Sequence, residues 1–119
     1  MDKNDLKLRT REFALRTIKL IRALPRDPAA RQISSQLMAS GTSVGANYRS
    51  SLRGRSRAEW ISKMNICLEE ADECVYWLEL IIEAKMLAKH LIEPLYKEAG
   101  ELTAIFAAAI KTAREKTKN

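Results

Sequence analysis

The chain is short of nearly everything an active site is built from. It has one histidine, His90, in 119 residues. A nucleophilic triad needs a base, and a di-metal carboxylate bundle needs Glu-x-x-His on two helices. One histidine cannot supply two such motifs, and Glu93 follows His90 instead of preceding it. No zinc-ligand spacing occurs, and no glycine-rich phosphate loop joins a strand to a helix. No catalytic residue, metal site or cofactor is therefore expected. His90, placed near the end of a third helix, reads as a helix-terminal or solvent-facing side chain. Glu69, Glu70, Asp72 and Glu73 are dense enough to hold a hard cation, but a solvated or ion-paired helix face accounts for them better.

Other scarcities are equally informative. The two cysteines, Cys67 and Cys74, are seven residues apart. On a helix that spacing is about 10 Å of rise, too far for a disulfide. They read as buried small apolar residues in a reducing compartment. Four glycines and three prolines leave room for long helices. No apolar run reaches membrane-spanning length, and no signal-peptide core follows the charged N-terminus. A cytoplasmic protein without membrane contact is expected.

What is present is helical periodicity. The hydrophobic fraction of 46% suits one domain over residues 1–119. Leu6, Phe13, Ala14, Ile18, Ile21 and Leu24 predict a helix over 4–24, stopped by Pro25. Asp27-Pro28 is a start signal for a second, over 28–53. Ile33, Leu37, Val44, Tyr48 and Leu52 form its stripe, and Gly54 closes it. Ser40, Gly41, Ser43, Gly45 and Ala46 would let a neighbouring helix come close.

Ser56-Arg57-Ala58-Glu59 reads as a capping box opening a third helix over 57–90. Trp60, Met64, Cys67, Ala71, Cys74, Leu78 and Ile81 make a seam of alternating four and three spacings. Ile61, Leu68, Val75 and Ile82 run beside it. The two rows cover an arc of about 160°, and Tyr76, Trp77 and Leu80 fall outside it. This surplus makes Tyr76, Trp77 and Leu80 the candidate oligomer interface. A fourth helix is predicted over 94–115, with Pro94 at its first position. Nothing signals a strand. Short connections favour an all-α, up-down-up-down antiparallel four-helix bundle.

Charge points to function more than any motif does. The formal net charge is +6 and the pI about 9.5, which favours anionic partners. Lys7, Arg9, Arg11, Arg16, Lys19, Arg22 and Arg26 decorate the first helix. Arg49, Arg53, Arg55 and Arg57, extended by Lys63, read as a phosphate-binding corner, because the guanidinium fork grips phosphate bidentately. The nucleic-acid-binding candidates are thus Arg49, Arg53, Arg55, Arg57, Lys63, Arg9, Arg11 and Arg16. Glu69, Glu70, Asp72, Glu73, Glu79 and Glu83 load the third helix. The competing reading lays the basic first helix against this acidic one, within the chain or across a subunit boundary.

Several stretches carry a family likeness: Ser35-Gln36-Leu37, Thr42-Ser43-Val44-Gly45-Ala46-Asn47, Arg55-Ser56-Arg57-Ala58-Glu59-Trp60 and Glu69-Glu70-Ala71-Asp72-Glu73 followed by Tyr76-Trp77-Leu78-Glu79. In them the chain resembles the four-helix-bundle proteins encoded in intervening sequences of bacterial large-subunit ribosomal RNA genes. Gln36, Leu37, Ser43, Asn47, Ser56, Glu59 and Leu78 match the family's pattern. The likeness runs from about Phe13 to Ile110. It implies an up-down bundle assembling as a cyclic homopentamer. The accessory variability proteins of diversity-generating retroelements resemble the same group, and they bind a reverse transcriptase and nucleic acid. Many members follow the asparagine with Ile-Ala-Glu-Gly; here Tyr48-Arg49-Ser50-Ser51 follows Asn47, so a base replaces an acid. The expected function is non-enzymatic: an oligomer that binds RNA or DNA. The alternative is a protein-interaction scaffold, or an accessory subunit of a nucleic-acid-processing complex such as a reverse transcriptase.

Overall fold

A computed structural model describes residues 1–118, with side chains through residue 116. Its elements are α1 (Lys3–Ala23), α2 (Pro28–Ser51), α3 (Arg57–Glu83) and α4 (Lys89–Lys118), with no strand among the described residues. Each of the first three begins on a side-chain cap. Asp2 accepts from the Asn4 and Asp5 amides, Asp27 from Ala30, and Ser56 from Glu59. These acceptors take up amides that the first helical turn leaves without partners. Glu59 reaches back as the capping-box reading requires, but to the amide of Arg55, at 3.2 Å, one residue beyond the expected one.

The helices run antiparallel in sequence order. α1 packs on α2, α2 on α3, α3 on α4, and α4 returns to α1. The result is a rod with extents of 51 × 22 × 20 Å. α1 and α3 are diagonal, and their backbones do not approach one another. The basic first helix therefore does not lie against the acidic third helix within the chain, because short connections put consecutive helices side by side.

The core is one column. Leu6, Phe13, Leu20, Leu37, Val44, Met64, Cys67, Ala71, Cys74, Leu78, Ile92, Leu102 and Phe106 are all buried in it. The second row of α3, Ile61, Leu68, Val75 and Ile82, packs half-buried at its margin. Burial pushes the Cys67 and Cys74 thiols up to about 12, so both are neutral. The Cys67 thiol points at the Val44 carbonyl, 3.6 Å away.

The small residues of α2 do what small residues allow. A Cβ on Gly41 would sit 2.7 Å from Thr17 Cγ2, and one on Gly45 would sit 3.3 Å from the Thr10 carbonyl. Thr10 and Thr17 are buried on α1 opposite them, and neither belongs to the apolar pattern read from the sequence. Their hydroxyls donate to Lys7 and Phe13 carbonyls one turn back, so they enter the interface without an unpaired donor. Gly54 closes α2 by close approach and not by a left-handed turn: its φ is not positive, and a Cβ would meet the Ser51 carbonyl at 3.1 Å.

The third helix ends earlier than its periodicity predicts. α3 stops at Glu83, where Lys85 takes φ 56. The Met86 amide then donates to Ile81 and the Lys85 amide to Ile82, the paired bonds of a Schellman ending. Glycine commonly marks that ending, and lysine hides it. α4 correspondingly starts at Lys89, which puts His90 in its first turn, exposed, and Pro94 inside the helix. The only ladder bond lost to Pro94 is the one to the exposed His90, whose carbonyl water can reach. No described helix is long and apolar enough to cross a membrane.

Candidate nucleic-acid interface

The α2–α3 connection, the start of α1 and the last turns of α4 meet at one end of the rod, because antiparallel neighbours bring those segments together. Arg49, Arg53, Arg55 and Arg57 are all exposed there, and none makes an ion pair among the described residues. Arg49 and Arg57 do not share one groove. Arg49, on the last turn of α2, faces a groove between α1 and α2 that it lines with Lys7 and Arg11. Arg57, on the first turn of α3, faces a groove between α3 and α4 that it lines with Lys116. These two grooves lie on opposite sides of the bundle, with Arg53 and Arg55 in the connection between them. The arginines read as a cluster along the sequence thus run from one groove to the other by way of the α2–α3 connection.

The α1–α2 groove holds about 500 Å³. Gly45, Ala46, Ala14 and Thr42 line it alongside Leu8, which is 61% exposed. Among the described residues no acid lines it, and none lines the groove beside Arg57. Lys7 and Lys116 were not among the sequence candidates. For Lys7 the signal was available, since Lys7 and Arg11 are one turn apart on the same helix. For Lys116 it was not: only the return of α4 to the start of α3 brings it beside Arg57.

Three of the predicted cations stand apart. Arg9 is committed to α4: its Nε donates to Glu98 at 2.7 Å, its Nη2 to the other carboxylate oxygen at 2.6 Å, and Glu101 stands at 3.4 Å. Arg9's hydrogen bonds hold the Glu98 carboxyl below the usual carboxylate range, against the opposing pull of burial. The same pair raises Arg9, so both stay charged. Arg16 is exposed nearer the other end of α1, beside Lys19, Leu91 and Pro94. Lys63 is half-buried on α3.

The acidic stretch of α3 engages aromatic donors instead of bases. Glu73 accepts from the Trp77 indole at 3.0 Å, and Glu79 from the Tyr96 hydroxyl at 2.9 Å. Desolvation, reinforced by Glu73, pushes the Glu70 carboxyl up. Of the three interface candidates, Tyr76 is exposed, with its ring 5.0 Å edge-on from that of Trp77, while Trp77 and Leu80 are half-buried. Among the described residues, no group of three or more histidine, cysteine or acidic side chains is placed to hold a metal ion.

These observations define an up-down four-helix bundle with four exposed arginines about its α2–α3 connection. The description 23S rRNA-intervening sequence protein matches residues 2–108, and the chain belongs to that family, as the likeness centred on residues 35–80 implied. Among solved structures it is similar to a protein of unknown function from the S23 ribosomal protein family of Bacteroides thetaiotaomicron. That similarity has a TM-score of 0.85 and 36% identity, and it covers 93% of this chain and 99% of the other. No curated protein matches the chain.

Proposed function

We propose that this protein is a non-enzymatic nucleic-acid-binding subunit that works as a ring of copies, five in number as the family likeness implies. One observation carries the binding reading. Arg49, Arg53, Arg55 and Arg57 lie exposed at one end of the rod without ion-pair partners among the described residues, and no described acid lines the two grooves that Arg49 and Arg57 border. Unpaired guanidinium groups spread around a rim suit a backbone of repeating phosphates better than a single compact anion. A ring would repeat that rim and multiply its contacts.

The test is the salt dependence of binding to a structured RNA and to DNA of the same length. Affinity should fall steeply and log-linearly with salt, and charge reversal at Arg53 and Arg55 should flatten the slope. Binding no tighter than to an acidic polypeptide at low salt would remove the reading.

A second reading has its own support. The outward face of α3 presents exposed Tyr76 beside carboxylates that no base answers. A protein surface with basic and apolar groups would complement it, either on another copy or on an accessory partner such as a polymerase. Loss of the native assembly on Tyr76→Arg, with nucleic-acid binding by the separated subunit retained, would assign this face to self-association. A pulldown partner that survives nuclease and is lost with Tyr76→Arg would assign it to the scaffold reading.

A further inference from the structure

The α3–α4 groove differs from the α1–α2 groove in containing an aromatic ring. Trp60, which the periodicity of α3 places in the core seam, is only half-buried and lines this groove. Opposite it, α4 presents Ala108, Ala109 and Ala113, and the space left is about 500 Å³. Longer side chains at those three positions would fill it. Arg57 and Lys116 line the same groove, and among the described residues no acid does. The two tryptophans also differ in their hydrogen bonding. Trp77 donates its indole N–H to Glu73, whereas the Trp60 N–H has no such partner among the described residues.

A flat ring, an alanine wall and two cations together select a particular ligand chemistry. The ligand must offer a planar face to the indole and negative charge to Arg57 and Lys116. An acidic peptide satisfies the cations and leaves the ring unused. A duplex carries the charge but keeps its bases stacked on one another. We infer that this groove is a subsite for one unpaired base of a single-stranded nucleic acid, packed against Trp60 with its flanking phosphates on Arg57 and Lys116. This rests on the nucleic-acid reading above and assigns it a base-contacting position. RNA and DNA share the chemistry.

The test uses the full chain carrying Trp77→Phe, which leaves Trp60 as its sole tryptophan. Its emission is followed during titration with oligouridylate, oligothymidylate, a duplex of equal length, polyphosphate and polyglutamate. A single strand should quench Trp60, and the three controls should not. Quenching by one strand type alone identifies the sugar. Trp60→Leu and Ala108→Leu should each weaken single-strand binding roughly 5- to 150-fold and leave polyphosphate binding unchanged. Ala108 is exposed, so its variant fills the groove without touching the core and serves if Trp60→Leu does not fold. Single strands that bind without quenching, and with an affinity neither substitution alters, would overturn the subsite while the broader reading stands. Equal quenching by duplex or polyglutamate would also overturn it. Single strands that bind no more tightly than polyglutamate at low salt would overturn both.

Discussion

α1 and α3 lie diagonally across the bundle, and each carries an excess of one charge. They resolve that excess differently. On α1, Arg9 meets Glu98 of α4 in a two-bond clasp, and Thr10 and Thr17 meet glycines on α2. α1 is therefore fixed on both flanks by specific partners, although a groove remains beside the Thr10–Gly45 contact. Arg9 has a structural role, whereas Lys7 and Arg11 on the same helix line the α1–α2 groove with no acid beside them among the described residues. On α3, desolvation and then Glu73 push the Glu70 carboxyl up against a hydrogen bond to Ser40 of α2. None of the acids Glu69, Glu70, Asp72, Glu73, Glu79 and Glu83 makes an ion pair among the described residues. Neutral donors meet two of these carboxylates, the Trp77 indole at Glu73 and the Tyr96 hydroxyl at Glu79, and Tyr76 stays exposed.

The largest effect should come from breaking the α1–α4 clasp. The Glu98 side chain is 12% exposed and that of Arg9 26%. Arg9→Ala strands a partly buried carboxylate and should cost about 2 kcal/mol in urea unfolding. The combined change Arg9→Met with Glu98→Met should cost less than Arg9→Ala alone, because no charge is left without its partner. Additive losses would show that the clasp is no more than surface pairing.

Gly41→Ala tests the other flank. The new methyl must displace Thr17, so a loss of about 1–3 kcal/mol is expected by the same measurement. Thr17→Ala in the same chain should recover part of it, since it removes the atom met at 2.7 Å. Lack of recovery would mean that the close approach is not the reason for glycine there.

The two helices should also part company with pH. Glu98 titrates below its unfolded value. Its contribution is fully present above the ordinary carboxylate range and is lost as pH falls through the lower folded pKa. Glu70 titrates above its unfolded value. It therefore lowers stability once pH exceeds the ordinary range, and protonation relieves the penalty. Glu70→Gln should stabilise the fold near neutrality by about 0.5 kcal/mol, the scale of one like-charge pair on a helix. That gain should vanish in acid, where Glu98→Gln should lose its cost too. Thermal unfolding across pH 3–8 would show whether the opposite signs hold. The smallest stability change belongs to Tyr76→Arg, within about 0.5 kcal/mol, even where it dissolves the assembly. A large loss would mean that the ring is part of the core and not part of an interface.

Much of the bundle was legible because local rules and tertiary demands agree. Asp27-Pro28 and Ser56 start helices where capping chemistry says they must, and the seam from Met64 to Ile81 is buried throughout. The end of α3 was not legible. A lysine in left-handed backbone carries no sequence signature, and apolar spacing continues past it through Leu87 and Leu91. The candidate site was legible as composition and not as placement: eight cations could be named, but not which face each would occupy.

That division has a physical cause. Capping, periodicity and net charge act over a few residues or over the whole chain, so the sequence by itself determined four helices, their apolar stripes and a basic protein. Which charges remain free depends on which helices become neighbours, and that was decided only when α4 returned against α1. Its return committed Arg9 to Glu98, brought Lys116 beside Arg57 and Trp60, and left Arg49 and Arg57 facing opposite sides of one rim. No spacing rule reaches from residue 9 to residue 98; packing does.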